Sequence, residues 1–210
     1  TAIVASALVF TGCGDSDSSS STSSTSSTGG TASLTGTFVK GMWDNVPYRT
    51  NSSISGKTTD GVYSFNAGDW VEFDLGLIKA NVTAPTNNSV AALTDASGIA
   101  LKNAVTNGTV SATDLDNFIK AVLVVGGSQD ILESNGGKDF DATNLIARLT
   151  TLAGAGVDIS KASFVADMDA QMTAKNIPVA TGSGGKNIYS ITTAEVTNLK
   201  KCYYGYSCRG

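Results

Sequence analysis

Gly68-Asp69-Trp70-Val71-Glu72-Phe73-Asp74-Leu75-Gly76 decides the fold of the first half of this chain. Side chains alternate across a strand, so Val71, Phe73 and Leu75 fall on one face and Glu72 and Asp74 on the other. Trp70 lies opposite Val71 and Phe73. Ala67-Gly68-Asp69 supplies the turn into this strand. Upstream, Phe38 to Trp43, Val46 to Thr50, Ile54 to Lys57 and Val62 to Phe65 read as further short strands, and Leu77 to Lys79 follows downstream. Asp44-Asn45 and Asp60-Gly61 fall between them, and Asp-Gly between β-rich runs is a hairpin signal.

From about residue 89 the period changes to that of helices. Thr113-Asp114 starts one in which Leu115, Phe118, Ile119, Val122 and Leu123 share a face, ending at Gly126-Gly127. Asp141-Ala142-Thr143 starts a second with Leu145, Ile146, Leu149 and Leu152 inward, stopped at Gly154. A third is expected from Ser160 to Lys175 on Phe164, Val165, Met168 and Met172, with Pro178 beyond. Thr192-Thr193-Ala194-Glu195 is a capping box opening a last helix. The fold class expected is α+β: a small antiparallel β-sandwich-like module over 34–83, then a helical region over 84–210.

The first 33 residues are of another kind. Ala2 to Phe10 is apolar and too short to span a bilayer, and small residues follow it, as at the end of a secretory signal. Phe10-Thr11-Gly12-Cys13 resembles the lipobox of bacterial lipoproteins, although Phe10 stands where Leu is usual. The resemblance implies that residues 1–12 are the remnant of a signal peptide and that Cys13 is lipidated. The chain starts at Thr1 without Met or a basic n-region, which reads as a missing start. Between Ser16 and Thr28 every residue but Asp17 is Ser or Thr. Such a segment buries nothing to offset its ordering entropy. Residues 13–33 are therefore expected to be a disordered tether, and about 20 such residues reach roughly 25 Å. By the same resemblance, Gly14 after the cysteine favours the outer membrane of a Gram-negative bacterium.

Three cysteines occur, and lipidation of Cys13 leaves Cys202 and Cys208. An even pair in an exported chain favours a disulfide. It needs Cα atoms within about 6.8 Å, whereas six helical steps would separate them by roughly 9 Å, so the helix entering Cys202 is expected to end there. The rival is a metal site, but zinc takes four nitrogen or sulfur ligands and the chain has no histidine.

The β-rich stretch resembles a module of bacterial envelope proteins, among them many uncharacterised lipoproteins. Val39-Lys40-Gly41, Val46-Pro47-Tyr48-Arg49-Thr50 and Ser55-Gly56-Lys57-Thr58 match its pattern in order. Asp60-Gly61-Val62-Tyr63-Ser64-Phe65 and Gly68 to Gly76 complete it. The looser part also occurs in carboxypeptidase-regulatory-like domains. Such modules are structural or binding units, with no catalytic residues to carry over. Gly56, Gly61, Gly68 and Gly76 are expected to make turns. Asn144-Leu145-Ile146-Ala147-Arg148-Leu149 approximates a helical string that follows the module in those lipoproteins. Their acidic stretch after that helix is replaced here by Gly154-Ala155-Gly156-Val157-Asp158. Residues 193–210 resemble the lead-in to a further glycine-rich β region, so the natural chain is expected to continue past Gly210.

Candidate chemistry is sparse. The net charge is −4 and no basic block occurs, so no nucleic-acid partner is expected. Without histidine no Ser-His-Asp or Cys-His arrangement forms. Gly182-Ser183-Gly184-Gly185 lacks the spacing of a nucleophile elbow, and no glycine run matches a phosphate-binding loop. Asp114/Asp116 and Asp139/Asp141 with Asn144 are the oxygen clusters to weigh for calcium, against capping of helix starts. No metal and no cofactor are expected. Trp43, Tyr48, Tyr63 and Trp70 would serve either a core or an aromatic platform, and Trp70 is the candidate ligand contact.

The function expected is that of a non-catalytic envelope lipoprotein, not an enzyme, with a membrane partner through the anchor and an envelope protein or glycan as ligand. The alternatives are a surface adhesin or carbohydrate-binding module, and the non-catalytic portion of a larger envelope enzyme.

Overall fold

A computed structural model describes residues 34–38, 43–92, 99–100, 102–103, 110–126, 140–180 and 186–197. The chain is an α+β protein in which sheets come first and helices follow. The strands are β1 (Leu34–Phe38), β2 (Trp43–Asp44), β3 (Pro47–Thr50), β4 (Ser55–Lys57), β5 (Val62–Phe65), β6 (Trp70–Asp74) and β7 (Lys79–Thr83). Beyond them lie β8 (Val90–Ala92), β9 (Ile99–Ala100), β10 (Lys102–Asn103) and β11 (Phe140–Asp141). The helices are α1 (Ala112–Gly126), α2 (Thr143–Gly154) and α3 (Phe164–Ala174), followed by a 3-10 turn (Ile188–Ser190) and a helical turn over 193–197.

Two sheets face each other. One runs β5-β1-β8-β9 and the other β10-β7-β6-β3-β4. Their inner faces meet through aromatic rings. Phe38 of the first lies 4.7 Å from Phe73 of the second, and Tyr63 meets Phe73 edge-on at 5.0 Å. Val71, Phe73 and Leu75 are fully buried, as their alternation predicts. Asp60 (φ 52°) and Gly61 (φ 67°) form the two-residue turn that their sequence signals, closed by mutual backbone bonds of Thr59 and Val62. That turn carries the chain from one sheet to the other, because β4 pairs with β3 while β5 pairs with β1.

Several expectations change. Of the strand expected from Phe38 to Trp43, residues 39–42 lie outside the described residues; Phe38 belongs to β1 and Trp43 to β2. The strand expected at Leu77 to Lys79 instead runs Lys79–Thr83, since Gly76 and Leu77 turn the chain back and Leu75 N–H bonds Ile78 O at 2.9 Å. Sheet pairing extends past residue 83, and not all of it is antiparallel. β8 runs parallel to β1, β9 parallel to β8, and β11 parallel to β2. The parallel partners of β1 and β2 come from distant sequence, which short-range turn signals do not reveal.

α1 begins one residue before Thr113 and takes its cap from Ser111, whose Oγ accepts from Asp114 N–H at 3.1 Å. Ala121, Val124 and Val125 are buried along with the predicted face, so the second half of α1 is covered all round. α2 and α3 end alike. Val157 N–H reaches Leu152 O and Gly156 N–H reaches Ala153 O, just as Ile177 reaches Met172 and Asn176 reaches Thr173. Gly156 (φ 91°) and Asn176 (φ 52°) supply the left-handed residue of this helix stop. α3 is shorter than the Ser160–Lys175 expected, because the Asp158 carboxylate takes the N–H and hydroxyl of Ser160 and holds a turn there.

One apolar core joins both halves, from Phe38, Trp43 and Phe73 through Phe118, Leu149, Phe164 and Met168. Trp43 packs between Phe38 and Phe140 at 5.9 and 5.7 Å. Beside it Ala142 N–H bonds Asp44 O at 3.0 Å, and Asn45 Nδ2 donates to Asp141 Oδ1 at 3.0 Å. Arg148, within the predicted helical string, donates to Val125 O at the end of α1.

Candidate functional site

The motif residues of the β module hold turns and strand ends. The Asp69 carboxylate is 3 % exposed and accepts from Ser52 Oγ at 2.7 Å and from Asn66 N–H at 2.8 Å. Asn66 Nδ2 also reaches Ser52, whose hydroxyl lies 3.0 Å from that of Thr50. Asp69 thus ties the 66–69 turn to the β3–β4 connection. Thr58 Oγ1, also buried, accepts from Val46 N–H and donates to Trp43 O. Gly56 is a strand residue rather than a turn; it sits opposite Tyr48, whose ring lies across it.

Of the four aromatics weighed as a platform, three serve the core. Trp43 and Tyr63 are fully buried, and Tyr48 packs against Tyr63 and Phe73. The Tyr48 hydroxyl accepts Ser64 N–H at 3.2 Å. Burial pushes the Tyr63 hydroxyl up to about 12, with the Ser89 hydroxyl acting weakly the other way.

Trp70 alone of the four takes the outer face, that of the five-stranded sheet. Register places Arg49 opposite Glu72, Glu72 opposite Asn81, and Asp74 opposite Lys79 on this face. Arg49 Nε donates to Glu72 Oε1 at 2.8 Å, and the guanidinium carbon lies 5.5 Å from the Trp70 ring centroid. Bonding to Glu72 raises the pKa of Arg49. Glu72 was expected outward. It does point outward, yet it is only 8 % exposed, because cross-strand neighbours cover it. Lys79 Nζ stands 3.8 Å from Asp74. A depression of ≈ 160 Å³ is lined by Pro47, Tyr48, Arg49, Glu72, Asp74 and Lys79. Sequence reasoning singled out Trp70 but missed Arg49 and Glu72, since the signal that unites them is the β3–β6 register.

Of the acidic positions weighed for calcium, Asp114 and Asp116 both lie in α1. Asp114 lies in the first turn of α1. Asp141 caps α2, accepting Thr143 N–H at 2.9 Å, and bonds from Thr143, then Asn45, hold its carboxyl below the ordinary range. Asp139 lies outside the described residues. Among the described residues no three His, Cys, Asp or Glu side chains gather where a metal ion could be held, and no helix is long and apolar enough to cross a membrane. Cys13, Cys202 and Cys208 all lie outside the described residues.

The capping box forms as expected. Thr192 N–H and Oγ1 both meet Glu195 Oε2 at 2.8 Å, and Glu195 N–H returns to Thr192 Oγ1 at 3.2 Å. Lys186 Nζ, 2.6 Å away, and then Thr192 N–H lower the Glu195 carboxyl to about 2.

Comparison of the chain with protein-family models, with curated proteins and with solved structures gives no match.

Proposed function

We propose that the chain is a non-catalytic lipoprotein of the cell envelope, anchored in the outer membrane of a Gram-negative bacterium by lipid on Cys13. The Ser/Thr tract over 13–33 spaces the folded part from the membrane. The folded part has a structural or interaction role toward an envelope protein or glycan. The observation that carries this reading is Phe10-Thr11-Gly12-Cys13, placed between an apolar run and a Ser/Thr-rich tract. The absence of histidine and the use of the motif carboxylates in turns and caps support a role without catalysis.

Detergent-phase partitioning of the full-length protein in a bacterial host, beside Cys13→Ala, tests the anchor. Wild type is expected in the detergent phase and the variant in the aqueous phase. Both in the aqueous phase would contradict the anchor. Thiol titration of the denatured protein, before and after reduction, tests the companion proposal that Cys202 and Cys208 are bonded. Two thiols are expected to appear only on reduction.

A further inference from the structure

β4 and β5 are each the last strand of a sheet, and their free edges differ. In β5, the pairing of Gly36 with Tyr63 and the bond from Phe38 N–H to Gly61 O turn Val62 and Ser64 away from β1. Val62 exchanges backbone bonds with Thr59, and Ser64 N–H is taken by the Tyr48 hydroxyl, whose ring lies over Gly56. In β4, Ile54 O accepts from Thr50 N–H and Val46 O accepts from Thr58 N–H, so residues 54, 56 and 58 face β3. Ser55 and Lys57 therefore turn their backbone N–H and C=O groups outward, and no backbone partner meets them among the described residues. We propose that the β4 edge docks an extended segment of a partner protein, one that sets an acidic side chain beside Lys57. The proposal rests on the interaction role given above and names the chemistry of the partner.

An open strand edge is complementary to one kind of molecule, another extended backbone. Ser55 and Lys57 offer two donors and two acceptors at the two-residue period of a strand, so three residues of an added strand meet all four. Charge then selects the partner. On this face Arg49 and Lys79 are paired with Glu72 and Asp74. Lys57 is exposed and forms no ion pair among the described residues, and its charge acts only weakly on Asp141. On an added strand, an acidic side chain across from Lys57 stabilises the pairing and a basic one opposes it. That opposition also disfavours a second copy of the chain. The two-fold pairing that uses all four groups sets Gly56 against its own copy and Lys57 diagonal to its own copy, within reach of a long side chain. The same lysine thus guards the edge against self-pairing and favours an acidic strand.

The test is titration of the full chain with end-blocked, dye-labelled heptapeptides Thr-Val-Thr-X-Thr-Val-Thr, in which X is Glu, Gln or Lys. Anisotropy of the dye reports binding, and amide exchange reports where the peptide sits. The Glu peptide is expected to bind saturably, at least about tenfold more tightly than the Lys peptide. It should slow exchange most at the Ser55 and Lys57 amides. Ser55→Pro removes an outward donor and no bond to β3, so it should weaken binding at least about tenfold with a denaturant midpoint near that of wild type. Lys57→Glu should turn the preference from the Glu to the Lys peptide, which keeps the test open if Ser55→Pro fails to fold. No saturable binding of any of the three peptides, protection away from β4, or an unchanged preference in Lys57→Glu overturns the proposal. Dimerisation of the full chain in sedimentation, abolished by Ser55→Pro, also overturns it, because the edge then belongs to a second copy. Partitioning into detergent is read separately, so loss of peptide docking and loss of the anchor are distinguished.

Discussion

Gly76 lies so close to Leu149 that a Cβ placed on it would stand 2.6 Å from the Leu149 Cβ and 2.9 Å from Thr150 N. Gly76 is in the turn after β6, and Leu149 is in the middle of α2. The glycine is needed twice, for its φ of 82° and for this approach of helix to turn. This contact is one place where strands and helices become one body.

Gly76→Ala should therefore destabilise by about 2–4 kcal/mol, combining a left-handed backbone cost with overpacking. Gly68→Ala is the comparison, because Gly68 has a similar φ of 85° but open space around it. It should cost only the backbone part, about 1–2 kcal/mol. Denaturant midpoints of the two variants check this, and equal losses would remove the role of the helix contact.

Gly36→Ala sets a Cβ 2.5 Å from the Tyr63 ring and hydroxyl, across a directly paired position. A loss of about 1–3 kcal/mol is expected. Tyr63→Leu in the same chain should relieve part of it, so the double variant should lose less than the sum of the singles. Thermal unfolding of the four proteins measures the difference.

Asp69→Ala removes the acceptor for Ser52 Oγ and Asn66 N–H in a buried place, and should cost about 1–3 kcal/mol. Amide exchange should speed most at Asn66 and over the 50–54 turn. A loss spread evenly over the helices would contradict the local role given to this carboxylate.

The carboxyls of Glu195, Asp141 and Asp158 are all held below their ordinary values by bonds made only in the folded chain. A depressed carboxyl adds stability that is complete above its unfolded pKa and is lost as pH falls through the folded one. For Glu195 that window runs from 4.5 down to about 2. Stability should fall on acidification across it, and Glu195→Gln should flatten the fall. A variant with the same acid slope as wild type would show that Glu195 adds nothing.

Local order was legible in the sequence where local chemistry sets it. The alternation through Val71, Phe73 and Leu75, the Asp60-Gly61 turn and the Thr192/Glu195 capping box need only neighbours along the chain. What escaped depends on partners far away. Phe140 and Asp141 give no strand signal and become β11 because Trp43 and Asp44 lie beside them. The Ser163 start of α3 was blurred by Asp158 and Ser160, which favour a turn. Trp70 was recognisable as an outward aromatic, but its companions Arg49 and Glu72 come together only through the register of β3 on β6.

The most direct test of a single strand-and-helix body is equilibrium unfolding followed by two signals at once. Tryptophan emission reports Trp43 in the shared core and Trp70 on β6, and far-UV circular dichroism reports mainly α1, α2 and α3. One shared transition with the same midpoint and slope is expected, shifting as a unit in Gly76→Ala. Two separate transitions, with the helices persisting after the strands have melted or the reverse, would contradict it.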